Sequence, residues 1–249
     1  MTLLGFDTSM PVTAACIVRA DGRTFSTEPP PADRLAGPPD HSAELLPAIA
    51  NLLERAEVGW RDLDSIGVGV GPGTFTGLRI GVATARGLGQ ALGIPLRPVS
   101  SLEALAAGLA ETAGRTGRAL VPLIDARRRQ VFAALYRAGP HLELEWGPCA
   151  LGLDELLARL ARAGETPLAI RGETPLAAGD WALESREDLE LAGIEVPPSA
   201  SGLHAVNALH VCRLAEGVEP VEPEQVRPNY VRLPDAEINR RSARDHGTG

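Results

Sequence analysis

Residues 69–93 constrain the fold of this chain more than any other stretch. The run Gly69-Val70-Gly71-Pro72-Gly73-Thr74-Phe75-Thr76-Gly77 leads into a segment with a small residue at every fourth position: Gly77, Gly81, Ala85, Gly89 and Gly93. The preceding residues, Ser65 to Val70, have the apolar character of a buried strand, so the pattern is strand, glycine-rich turn, helix. Glycine inside a helix costs about 1 kcal/mol relative to alanine, and several in one row require compensation from close packing. Small residues on the i±4 row make a groove that another element can approach, and Leu78, Val82 and Leu88 beside it add apolar area. Two occupants of that groove stand level on sequence alone, the helix's own sheet and a helix of a second subunit. A glycine-rich turn before a helix N-terminus is also an anion site in principle. The lysine of G-x-x-x-x-G-K-[ST] and the spacing G-x-G-x-x-G are both missing, which leaves neither a P-loop nor a dinucleotide fingerprint. The plainer reading is a tight turn with Thr74 or Thr76 as N-cap.

Around this unit the hydrophobic pattern alternates. Leu3 to Asp7, Thr13 to Arg19 and Arg23 to Glu28 predict three consecutive antiparallel strands, and the Pro- and Gly-rich residues Pro29 to Asp40 a surface loop. From Ser42, the residues Leu45, Leu46, Ile49, Leu52 and Leu53 fall on one helical face that ends near Val58-Gly59. A second helix runs to about Leu92, and Ile94 to Val99 returns as a short strand. The pattern then restarts with a helix from Leu102 to Ala113, a strand from Ala119 to Ile124 and a hairpin of Val131 to Tyr136 with Leu142 to Trp146. Helical patches at Leu153 to Ala163 and Ala205 to Ala215 flank a weak strand at Leu168 to Arg171, and Ala182 to Ser201 reads as irregular. The polar, Arg-rich residues from Pro234 read as a disordered tail. This order predicts an N-terminal lobe over 1–100, a C-terminal lobe over 101–233 and the tail over 234–249.

Composition narrows the chemistry. With 44% hydrophobic residues among 249, the chain can bury a core, and no apolar run approaches the roughly 18 residues of a membrane span. Leu3-Leu4-Gly5-Phe6 lacks the basic and small-residue flanks of a signal peptide, so a cytoplasmic location is expected. The 24 basic residues are all arginine, which leaves no phosphate-binding lysine and no Schiff base. A net charge of -8 argues against this chain alone gripping nucleic acid. Cys16, Cys149 and Cys212 lie far apart without a C-x-x-C pair, so neither a disulfide framework nor a zinc site is expected.

Four candidate features remain. The turn Asp7-Thr8-Ser9 sets a carboxylate and two hydroxyls at a strand end, where a nucleotide phosphate or its metal is held in some folds; the same residues equally close a turn on their own backbone. His41 opens a helix, but Leu45 stands four residues on where H-x-x-x-H requires histidine, so no metal is expected. Ser100 and Ser101 lie in no G-x-S-x-G elbow. Asp125-Ala126-Arg127-Arg128-Arg129-Gln130, between two strands, suits phosphate, an acidic partner surface or a solvated hairpin tip.

Taken together, LLGFDTS at the start, HSAELLPAI opening the first helix, GPGTFTGLRIG at 71–81, DARRRQVFAALY at 125–136 and PNYVRL at 228–233 resemble the TsaB (YeaZ) family, in the same order along nearly the whole chain. The resemblance implies an α/β chain of the two-lobed actin-like, Hsp70-like and sugar-kinase-like ATPase fold, each lobe a mixed sheet flanked by helices. It implies a non-catalytic scaffold subunit, without a cofactor of its own. That subunit belongs to the bacterial machinery that installs threonylcarbamoyl on N6 of the adenosine next to the anticodon, in tRNAs reading codons that begin with A. The expected partners are a TsaD-like catalytic subunit, a TsaE-like ATPase and tRNA only through the complex, with a homodimer possible for the isolated chain. On this reading Asp7, Thr8 and Ser9 are a vestigial nucleotide site. The partner surface is drawn from Leu45, Ile49, Leu52, Gly77, Leu78, Gly81, Val82 and Ala85, as a four-helix contact. The competing reading is a stand-alone M22-type metallopeptidase or ATPase of the same fold, for which the chain supplies no evident ligand set.

Overall fold

The computed structural model describes residues 1–114, 117–163 and 174–231. The weak strand expected at Leu168 to Arg171 and the tail expected from Pro234 lie outside the described residues. The first sheet combines β1 (Leu3–Asp7), β2 (Ala14–Val18), β3 (Thr24–Ser26), β4 (Ser65–Gly69) and β5 (Leu96–Val99) in the order β3-β2-β1-β4-β5. Its first three strands form the expected antiparallel meander, while β4 and β5 add on in parallel through crossover helices. The second sheet has β6 (Ala119–Asp125), β7 (Gln130–Arg137), β8 (Glu143–Gly152) and β9 (Leu176–Ala178) in the order β8-β7-β6-β9, again mixed. The helices are α1 (Ala32–Leu35), α2 (His41–Ala56), α3 (Phe75–Leu92), α4 (Ser101–Ala113), α5 (Leu153–Ala163), α6 (Asp180–Glu184), α7 (Arg186–Leu191) and α8 (Ala208–Glu216). The fold class is the one expected, α/β with two lobes, each a mixed sheet flanked by helices.

Alternation along the strands sorts the core. Leu4, Phe6, Ala15, Ile17, Ile66 and Val68 point from the first sheet into α2 and α3. Leu3, Ala14 and Cys16 point the other way, into a cluster shared with α4, α8 and one face of the second sheet. The far face of that sheet, with Val121, Leu123, Ala133 and Leu135, packs on α5, α6 and α7. Helices α4 and α8 therefore lie between the two sheets, in five layers. Helix α8 presses on the first sheet where the strands carry glycine: a Cβ at Gly5 would stand 2.4 Å from Cys212 Sγ, and one at Gly67 2.8 Å from Ala215 Cβ. Arg97 on β5 holds the end of α8 by donating to the carbonyls of Ala215 and Val218.

Two expectations are corrected. Residues 182–201 are not wholly irregular, because the end of α6 and all of α7 fall within them; at 5 and 6 residues these helices are too short for a helical period to register. Strand β8 also runs past Trp146 to Gly152, through Pro148. It is the edge strand of its sheet, where a residue without an N–H is tolerated.

Candidate functional site

Two of the sequence motifs meet at the ends of the adjacent parallel strands β1 and β4. Asp7 ends β1 and is 1% exposed; Thr8 and Ser9 are fully buried. Asp7 Oδ1 accepts from Ser9 N at 2.7 Å and Ser9 Oγ at 2.6 Å, and Oδ2 accepts from Ser101 Oγ at 2.6 Å. Ser101, the first residue of α4, is held in turn by the glycine-rich turn: its N–H donates to Gly71 O at 2.9 Å, and Gly71 N donates to its Oγ at 3.2 Å. A buried carboxylate needs such donors, and here the chain itself supplies them.

Glycine is required along the same contact because backbone or fixed side chains occupy the place of its Cβ. A Cβ at Gly69 would lie 1.8 Å from Asp7 Oδ2, one at Gly73 2.4 Å from Ser9 O, one at Gly77 1.9 Å from Thr8 O, and one at Gly81 2.3 Å from Thr8 Oγ1. Thr8 Oγ1 donates to Gly77 O at 2.8 Å, and Thr74 N donates to Ser9 O at 2.7 Å. Further along α3, Gly89 accommodates Pro223 and Leu96. The helical row thus wraps its own 7–9 turn and sheet.

The structure places the residues of the expected partner surface inside the chain. Leu45, Ile49, Leu52, Gly77, Leu78, Gly81, Val82 and Ala85 are all buried within the chain. Apolar periodicity marks whichever face is covered, and on both helices the chain's own sheet covers it. The outer faces carry Ala43, Leu46, Pro47 and Ala50 on α2, and Ala83 and Gly87 on α3; Leu46 is 49% exposed. At the start of α3, Arg79 stacks over the Phe75 ring at 3.8 Å and donates to Tyr230 Oη at 3.2 Å, joining GPGTFTGLRIG to the PNYVRL segment.

His41, the first residue of α2, is buried beside this turn. Its Nδ1 pairs with Thr13 Oγ1 at 2.8 Å, Nε2 has no hydrogen-bond partner among the described residues, and burial lowers its pKa despite the nearby carboxylates of Asp7 and Glu44. Among the described residues no group of three or more His, Cys, Asp or Glu side chains converges as a metal site.

A cleft of about 590 Å³ opens between the lobes, lined by Pro11, Leu35, Asp125, Arg127, Asp180 and Glu184 among others. Asp180 Oδ1 accepts from the N–H groups of Asp125 and Trp181, both at 2.9 Å. Burial, with the Asp125 carboxylate adding to it, pushes the Asp180 pKa up to about 7. Arg127 lies 3.2 Å from Asp125 Oδ2. The sequence offers Ser101 only as a serine outside any nucleophile elbow, and Asp180 not at all. The first is a serine at a helix start and the second an aspartate after a glycine, and only the approach of distant strands gives them partners.

The TsaD family, described as tRNA N6-adenosine threonylcarbamoyltransferase, matches residues 38–183. TsaB of Bacillus subtilis, a tRNA threonylcarbamoyladenosine biosynthesis protein, is 30% identical over 199 residues, which is 80% of this chain and 82% of that protein. An uncharacterized protein of Mycobacterium tuberculosis is 40% identical over 138 residues, 55% of this chain; the match spans 60% of that relative's length. The solved structure of YeaZ from Pseudomonas aeruginosa superposes with a TM-score of 0.71 at 27% identity, covering 92% of this chain and 99% of that one.

Proposed function

The chain belongs to the TsaB family, and from that premise we propose that it is the non-catalytic subunit of a tRNA threonylcarbamoyltransferase. It pairs with a TsaD-like catalytic subunit, receives a TsaE-like ATPase as third member, and works in the cytoplasm, meeting tRNA only within the complex. The product is threonylcarbamoyl on N6 of the adenosine next to the anticodon.

The observation that carries this reading is the closed Asp7 turn. Its carboxylate accepts three hydrogen bonds from Ser9 and Ser101, and α3 packs directly on Thr8 through Gly77 and Gly81. A turn so packed serves as a rigid joint between the first sheet, α3 and α4. Helices α2 and α3 are thereby held as a firm pair whose outer faces, with Leu46, Ala50 and Ala83, are open to meet an equivalent pair on the catalytic subunit. In isolation the same faces suit a second copy of the chain. None of the described helices is long and apolar enough to cross a membrane.

Reconstitution tests the proposal. The purified chain, given threonylcarbamoyl-AMP and unmodified tRNA, transfers nothing; with its cognate TsaD-like and TsaE-like partners the modified nucleoside accumulates. Metal-dependent transfer or peptide hydrolysis by the chain alone, free of partner, would sink the scaffold reading.

A further inference from the structure

The β6–β7 hairpin turns on three consecutive arginines, Arg127, Arg128 and Arg129, with φ of 63°, 54° and 59°. Side chains with a Cβ disfavour left-handed backbone, and hairpin turns that need it ordinarily use Gly, Asn or Asp. Among the described residues the one other non-glycine with positive φ is Glu57, at a helix C-cap. The bonds across the turn include main-chain N–H bonds, Ala126 N to Gln130 O at 3.0 Å, Gln130 N to Arg127 O at 3.0 Å and Arg127 N to Asp125 Oδ1 at 2.7 Å, and the Arg127 guanidinium pairs with Asp125 Oδ2 at 3.2 Å. Glycine at 127–129 would make those main-chain bonds without the strain. Three arginines in conformations that oppose them point to a use for the side chains, and such strain gathers at functional places. All three are exposed.

We propose that this tip is a phosphodiester-binding finger, through which the chain holds the backbone of the structured RNA acted on by the complex. The RNA's identity rests on the reading above; the anion chemistry rests on the tip. Guanidinium forks match phosphate oxygens bidentately, and contacts of this kind position a nucleic acid without reading its bases. A protein partner fits less well. Protein contacts center on apolar anchors, and none of the exposed large hydrophobic side chains (Met1, Leu46, Leu144, Leu191 and Tyr230) belongs to the tip. Leu144 pairs with Tyr136 at the far end of the hairpin. Because the chain carries a net charge of -8, the tip supplies a minority of the phosphate contacts and the partner the rest.

The test is the double variant Arg128→Gly/Arg129→Gly in the full chain, assembled with its catalytic partner and titrated with an unmodified tRNA transcript between about 50 and 200 mM salt. Glycine relieves the strain, so the variant melts at or above the wild-type temperature. Its tRNA dissociation constant rises roughly tenfold, and the slope of log affinity against log salt becomes shallower by about 1.5. The Arg128→Lys/Arg129→Lys variant keeps the wild-type salt slope but, without the fork, recovers only part of the affinity. Unchanged tRNA affinity and slope overturn the proposal, as does a loss confined to association with the protein partner in size-exclusion chromatography. If the wild-type complex binds tRNA through the tip yet never modifies it, the finger stands and the transferase reading falls.

Discussion

At Gly81 a single methyl group meets the hydroxyl that locks the Asp7 turn, because its Cβ would stand 2.3 Å from Thr8 Oγ1. Gly81→Ala therefore displaces Thr8 and breaks its bond to Gly77 O, with an expected loss of about 2 kcal/mol in denaturant unfolding. Ser101→Ala leaves Asp7 Oδ2 and Gly71 N short of a partner and costs a similar amount, about 1–3 kcal/mol. If either variant unfolds at the wild-type midpoint, the network does not hold the turn. Asp180 sets a pH dependence instead. In the folded chain its carboxyl keeps its proton up to about pH 7, whereas an unfolded aspartate releases it near 3.9. Between those values the folded state binds more protons than the unfolded one, so this contribution to stability is full below pH 4 and lost as the pH rises through 7. Asp180→Asn keeps the Oδ1 acceptor for Asp125 N and Trp181 N but removes the ionisation. The variant should melt close to the wild type at pH 4 and gain about 4 kcal/mol over it at pH 8, at about 1.36 kcal/mol per unit of the difference; a gain that is equal at both values counts against the assignment.

On the scale of the element, α2 and α3 each present a covered and an open face, and substitutions separate the two. Leu45 is 1% exposed, so Leu45→Glu buries a charge and unfolds the chain. Leu46→Glu combined with Ala83→Arg alters only open positions, so the protein stays folded by circular dichroism and melts near the wild type. Under the scaffold reading it no longer co-elutes with the TsaD-like subunit, and tRNA modification falls with it. Retained association would move the contact elsewhere. Both helices are legible in the sequence because their periods run through 16 and 18 residues. The short α6 and α7 are not, and neither is the far half of β8, where proline reads as a strand break unless the edge position is known.

For the whole molecule, the decisive element is α8, which comes from the end of the described chain yet lies on β1, β2, β4 and β5. Its seat on Gly5 and Gly67, with Arg97 at its end, binds late sequence to early sequence and places α4 and α8 between the sheets. The Asp7 turn is packed into that frame by its bonds to Ser9 and Ser101. Calorimetry with ATP and Mg²⁺ should accordingly give weak binding or none. A sub-micromolar dissociation constant would show that the Ser9 and Ser101 bonds open readily and that the turn is a working nucleotide site.

The sequence by itself determined the strand order of the meander, the strand-turn-helix at 65–92 and the need for something to lie against the small-residue row. These follow from local periodicity and from glycine's cost, which depend on near neighbours. It could not say what fills the row, because a glycine signals only that a surface comes close. Tertiary structure supplied that surface as Thr8, 69 residues away from the Gly77 carbonyl it binds, and so turned the expected subunit groove inward. The same folding brought Ser101 to Asp7 across 94 residues. Such contacts carry no sequence period, since only the parallel pairing of β1 and β4 and the crossover through α3 set them side by side.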